Sequence, residues 1–184
     1  MAVDTFIWFK EQAGMLPPVG ETKDDTYKNK DNPAFEISTW SFGIENPTSI
    51  GSATGGAGSG KAKLNEFTIK KVIDQASPAF FRNCVAGAHY KKVVLEMRKA
   101  GGDPQSAGKP YLTYTFYTVF TTGISYDNGD DAGPGEEIKF QYGTVVIKYQ
   151  KQKADGTPDG GPKMNGWNQI ANKAKDDESP PDNT

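Results

Sequence analysis

The chain has 184 residues, enough for one domain with a sizeable core, and a formal net charge of −2. That balance argues against nonspecific nucleic-acid binding, which needs a basic surface to release counterions. A single cysteine excludes an intrachain disulfide.

The opening MAVDTFIWFKEQ has no basic start, no long apolar segment and no small-residue cleavage site, and its VDTFIWFK stretch reads as a strand. No apolar run is long enough to cross a bilayer as a helix. A protein made in the cytoplasm without a cleaved signal is expected. Gly20 to Pro33 follows as a loop. In AFEISTWSFGIE, Trp40, Phe42 and Ile44 share one parity, a strand pattern. The glycine-rich Asn46 to Gly60 is a second loop, and KLNEFTIKKVID fits either strand or helix. SPAFFRNCVAG predicts the one helix, with Ser77 as N-cap, Pro78 in the first turn and Gly87 past its end. Phe80, Phe81, Cys84 and Val85 then form an apolar stripe for docking on a sheet.

KKVVLEMRK alternates, with Val93, Leu95 and Met97 inward and Glu96 and Arg98 outward. YLTYTFYTVFTTGISY puts Leu112, Tyr114, Phe116, Phe120, Ile124 and Tyr126 on one face. The acidic stretch Asp127 to Glu137 reads as a third loop. In EIKFQYGTVVIKYQ the parity changes between Tyr142 and Val145, which predicts a bulge or break near Gly143. AKDDESPPDNT is nearly devoid of apolar residues, so 173–184 reads as a disordered acidic tail behind a single domain of residues 1–172. The fold class is mainly β, an antiparallel barrel or sandwich with one flanking α-helix.

GGAGSGKA, Gly55 to Ala62, comes within one residue of the phosphate-binding pattern G-x-x-x-x-G-K-[ST]. Its context opposes that reading: ENPTSIGSAT before it has no apolar run, and no later strand ends in an aspartate suited to magnesium. Cys84 and His89 form the one conceivable nucleophile–base pair, but a cysteine on an apolar helical stripe is ordinarily an inert core residue. Asp127, Asp130, Asp131, Glu136 and Glu137 miss the spacing of a calcium loop. The residues therefore offer no catalytic, cofactor or metal site.

Several segments in order resemble one family: MAVDTFIWF, ISTWSFG, GKAKLNEFTIKKVID, SPAFFRNCVAGAHY, LEMRKAGG and YQKQKADGTPDGGPKMNGWN. Together they resemble the haemolysin-coregulated protein (Hcp) family, the inner-tube protein of type VI secretion systems. The resemblance implies a small β-barrel with a flanking helix, and homohexameric rings stacked into an expelled tube. It also implies effector proteins in the lumen, no enzymatic activity, and as partners the spike protein VgrG and the sheath and baseplate proteins. Cofactors, nucleic acid and membrane insertion have no part in it. It places Thr39 and Ser41 along the lumen, facing cargo. It makes the glycine-rich segment an arm on neighbouring subunits or rings, with Ser49, Ile50, Gly51, Ser52, Gly55, Gly56, Gly58, Gly60 and Lys61 as its contact residues. Charge pairing of Asp127–Glu137 with Lys91 and Lys92 is expected to help stacking. Departures from the family pattern are Phe42 in place of a second tryptophan, Trp8 in place of a polar residue, a small insertion over Thr26–Asn32, and the tail. A phage-like tail-tube protein and a monomeric small-ligand barrel are the alternatives.

Overall fold

The computed structural model describes residues 3–50, 57–59, 61–99, 109–130 and 133–181. In chain order the elements are β1 (Val3–Glu11), β2 (Phe35–Glu36), β3 (Thr39–Ser41), β4 (Ile44–Glu45), β5 (Thr48–Ile50), β6 (Ala57–Ser59), β7 (Lys63–Leu64), β8 (Phe67–Val72), α1 (Ser77–Ala86), β9 (His89–Lys99), β10 (Leu112–Asp130), β11 (Gly133–Tyr149), β12 (Lys163–Asn168) and β13 (Lys173–Ala174). Nine strands form one antiparallel sheet in the order β13-β12-β11-β10-β9-β1-β2, with β8 on β11 and β3 on β8. Because β2 and β3 are two halves of one bent segment, pairing β1 at one end and β8 at the other, the sheet closes on itself. The ambiguous KLNEFTIKKVID is therefore strand: β8 buries Phe67 and Ile69 and pairs with β11.

The barrel interior is aromatic and aliphatic. Ile7 and Phe9 of β1, Val93, Leu95 and Met97 of β9, and Phe116, Ile138 and Phe140 are at most 4 % exposed. The rings of Phe9, Phe35, Phe80, Phe140, Phe67 and Phe116 form one chain of edge and stacked contacts at 4.7–6.3 Å. Phe42 sits 5.7–6.1 Å from Tyr114, Phe116 and Tyr142, so an aromatic contact without an indole fills that position.

The parity change expected near Gly143 is present, but neither strand breaks. Thr118 has φ 53°, and Thr118 and Gly143 drop out of a register that otherwise runs on unchanged from Tyr117↔Thr144 to Val119↔Tyr142. Both strands switch faces at once, so β10 changes parity too. Phe116 is followed inward by Val119, and a register shift between Thr121 and Gly123 then returns Ile124 to the core side. Phe120, expected inside, is therefore turned outward and 39 % exposed, while Tyr126, opposite the buried Glu136, is 50 % exposed although it lies on the core side. The acidic stretch is likewise not a loop. β10 runs to Asp130 and β11 starts at Gly133, with Asp127 opposite Gly135.

Helix α1 ends as expected, with Gly87 at φ 63° in the left-handed conformation that glycine adopts without a Cβ penalty. Its start differs. Ala76 occupies the cap position with no side-chain cap, because the Ser77 hydroxyl donates to Glu136 Oε1 at 2.7 Å instead. Glu136 also meets Lys71 Nζ at 2.7 Å, and Lys71 meets Asp74 at 2.8 Å, with both side chains of the Lys71–Glu136 pair at most 3 % exposed. This buried pair pins the helix start to β8 and β11. Of the predicted apolar stripe only Phe80 is buried; Phe81 and Val85 are 56 % and 74 % exposed.

The opposite sheet face carries a second small core. Tyr27, from the apparent insertion, is fully buried and stacks on Phe6 at 3.9 Å, with Trp8 at 5.9 Å. Lys30 lies over the Trp8 ring at 4.5 Å, and the Tyr27 hydroxyl donates to Glu96 at 3.1 Å. Arg98 completes the cover through Asp4 at 3.1 Å and Asp24 at 2.5 Å. Trp8 and the Thr26–Asn32 insertion are thus one feature.

At the other end of the same face, residues 173–181 differ from the expected disordered tail. β13 pairs with β12, and Lys148 binds both Glu178 carboxylate oxygens at 2.8 Å. Of the charges that suggested disorder, Glu178 is paired with Lys148 on the sheet and Asp177 with Lys175 inside the segment.

Two stability predictions follow from these contacts. Tyr27→Ala removes a wholly buried aromatic and is expected to cost about 3 kcal/mol or more in urea unfolding; a loss below about 1 kcal/mol would show that the insertion does not anchor this face. Lys71→Met alone strands a buried carboxylate and is expected to cost about 3–5 kcal/mol, whereas Lys71→Met with Glu136→Leu should recover most of it. Equal losses in the single and double variants would refute the pairing argument.

Candidate assembly and lumen surfaces

Alternation in the short strand β3 turns Trp40 toward the core, 5.3 Å from Tyr114, and leaves Thr39 and Ser41 exposed on the other face. Strand register extends that face. Thr39 lies across from Lys70, Glu137 and Ser125 in one row, and Ser41 across from Thr68, Lys139 and Gly123 in the next. In these two rows the wall across β3, β8, β11 and β10 carries hydroxyls, charges and a glycine; the next outward residue of β8, Val72, is 45 % exposed at its end. Glu137 sits 3.1 Å from Lys70 and 3.5 Å from Lys139. The hydrogen bond from Lys70 holds the Glu137 carboxyl below its ordinary range, so the carboxylate stays ionised between the two lysines. At the edge of the wall, Thr122 donates to Glu66 at 2.7 Å. The sequence pointed to Thr39 and Ser41. It missed Thr68, Lys70, Glu137 and Lys139, which come beside them only through strand pairing.

The glycine-rich arm is a ribbon of paired strands. Ile44 and Glu45 face Leu64 and Lys63, and beyond them Thr48, Ser49 and Ile50 face Ser59, Gly58 and Ala57. Of the predicted contact residues, Ser49, Ile50 and Gly58 lie in this hairpin, and Lys61 is exposed at its exit. Gly51, Ser52, Gly55, Gly56 and Gly60 lie outside the described residues. A phosphate loop opens a helix directly after its lysine. Here Lys61 leads into strands β7 and β8 instead, so the helix that such a loop opens is not the element that follows. His89 packs its ring 5.0 Å from Phe120, and Cys84 is half-buried on α1.

A cleft of about 420 Å³ opens between β3, β8 and the β10–β11 hairpin, lined by Ser38, Thr39, Lys70, Asp127, Glu136 and Glu137. Two of the carboxylates expected to help stacking have partners within the chain. Glu136 is buried against Lys71, and Glu137 is held by Lys70, so these two carboxylates are engaged within the chain. Lys92 lies on the outer sheet face opposite Tyr117. On the flank of the barrel, Phe81, Val85, Phe120 and Tyr126 present apolar surface from α1 and β10. Sequence reasoning had assigned all four to the core, because periodicity shows which residues share a face and not whether that face is covered.

Comparison with known proteins agrees with this architecture. The family model described as "Type VI secretion system effector, Hcp" matches residues 6–149. Protein hcp1 of Pseudomonas aeruginosa strain PAO1 is 34 % identical over 169 residues, covering 91 % of this chain and 96 % of the relative. A solved type six secretion system protein superimposes with a TM-score of 0.78 at 28 % identity, covering 95 % of this chain and 100 % of the other. Hcp1 of Salmonella typhimurium does so with a TM-score of 0.70 at 26 % identity, covering 95 % and 100 %. With the family model spanning most of the barrel and the matched structures sharing its fold, the chain belongs to the Hcp family of the type VI secretion system.

Proposed function

We propose that residues 1–172 act as one unit that assembles into hexameric rings, which stack into the expelled inner tube of a type VI secretion system. In this reading the polar wall of β3, β8, β11 and β10 lines the lumen. Secreted effector proteins travel inside it, and the role is structural, without catalysis. The observation that carries the reading is that wall: a sheet face whose two central rows carry only hydroxyls, charges and a glycine, backed by the core, with Val72 at one end. A lumen must pass polar cargo without sticking to it, and apolar area removed from water is what makes surfaces adhere. The apolar flank of Phe81, Val85, Phe120 and Tyr126 then serves subunit contact, since head-to-tail contacts close into rings when the rotation permits. The arm reaches neighbouring subunits or rings, and the spike protein VgrG, sheath and baseplate proteins are the further partners. Among the described residues no helix is long and apolar enough to cross a membrane.

Two variants test the reading. Ser41→Gln adds bulk to the wall without touching the core, so rings should persist while effector retention in a pull-down falls. Unchanged retention would remove Ser41 from the cargo surface. Deletion of residues 52–59 should leave a folded, soluble chain that no longer supports secretion. Secretion at the normal level would contradict a role for the arm in the tube.

A further inference from the structure

The C-terminal segment occupies a specific seat. Strand β13 pairs with the end of β12, Trp167 opposite Ala174 and Asn168 opposite Lys173. The Lys175 amide then donates to the Gly166 carbonyl at 2.9 Å. Gly166 is what admits the chain here: a Cβ at that position would lie 2.7 Å from the Lys175 carbonyl and 2.4 Å from that of Val145. Beyond this point the segment crosses the outer face of β11 and β10. Lys148 grips the Glu178 carboxylate with two contacts of 2.8 Å, and the buried Tyr117 hydroxyl donates to the Glu178 carbonyl. Burial, together with the nearby Glu178 and Asp177 carboxylates, pushes the Tyr117 phenol up to about 12, so it stays a donor at neutral pH. Within the segment, Asp177 accepts from the Ser179 amide at 2.8 Å, which holds the turn that presents Glu178.

These are the elements of a peptide site: a strand edge for backbone pairing, a glycine for close approach, a cation for one acidic side chain and a hydroxyl for one carbonyl. The seat is moderate in strength, because Lys148 and Glu178 are 28 % and 37 % exposed and exposed ion pairs are screened. The segment is joined to β12 through a short turn in which Asn172 has φ 52°, an uncommon conformation for a residue other than glycine. A moderately held strand behind a short turn is suited to exchange.

We propose that the groove formed by β12, Lys148 and Tyr117 is a binding site for an extended acidic peptide, filled within one chain by its own residues 173–179 and open to the same segment of a second copy. Tail exchange between copies would tie subunits together without any new interface, as segment swapping does.

The test uses the full chain and amide exchange. In the unmodified protein the Lys175 amide should be protected, and a synthetic peptide of residues 173–184 in excess should raise its exchange saturably. The same peptide carrying Glu178→Lys should not. Lys148→Glu in the full chain should speed exchange at Lys175 by about tenfold while β10 and β11 remain protected. Combining Lys148→Glu with Glu178→Lys should restore the protection. Displacement by both peptides alike, or by neither, would overturn the proposal. So would a Lys148→Glu chain that keeps its Lys175 protection.

Discussion

The fold depends on a constraint in its two longest strands. β10 and β11 are paired along nearly their whole length, yet their ends serve different neighbours. The first half of β11 pairs with β8 and its second half with β12, while only the first half of β10 pairs with β9. A pair of straight strands would present one face to the barrel core throughout and expose Val145 and Ile147 or Phe140 and Tyr142. The positive φ of Thr118 opposite Gly143 resolves this by turning both strands over at one rung. Both apolar sets then point inward, and hydrogen-bonded pairing resumes in the same register. Closure of the barrel through β8 and β3 is possible only because of that switch.

Two sheet surfaces with opposite characters follow. On the β3–β8–β11–β10 side, the residues facing away from the core are mostly hydroxyls and charges, with Glu137 shared between Lys70 and Lys139, a surface with little tendency to adhere. On the β1–β9–β10–β11 side, the outward residues are Phe6, Trp8, Val94, Tyr117 and Val146, all at most 7 % exposed, in a face that water would not solvate well. The chain covers that second face itself, with Tyr27 at one end and the Glu178 segment at the other. The Thr26–Asn32 stretch and the C-terminal segment therefore serve one physical need.

Much of this was legible in the sequence, and the exceptions share a cause. Alternation identified β1, β9, β10 and β11, and the parity change near Gly143 was visible because six apolar residues disagree about which face is inside. Gly87 marked the helix end, since a left-handed residue is a local requirement. What escaped notice depends on contacts distant in the chain. Lys71 and Glu136 read as solvent charges because neither reveals the other, sixty-odd residues away. Trp8 and Tyr27 were each noticed separately, but nothing local says that one covers the other. The acidic tail looked disordered because composition does not show Lys148 waiting on the sheet. The polar wall was found at Thr39 and Ser41 and missed at Lys70, Glu137 and Lys139 for the same reason: strand pairing, not sequence spacing, builds the surface.

The central claim is that this barrel is one segment of a ring, and solution mass by multi-angle light scattering tests it most directly. Six copies of the 20.0 kDa chain give a mass of about 120 kDa, and that is the expected species at micromolar concentration. A mass of 20.0 kDa across the accessible concentration range would contradict it and leave the apolar flank of α1 and β10 without the partner proposed for it.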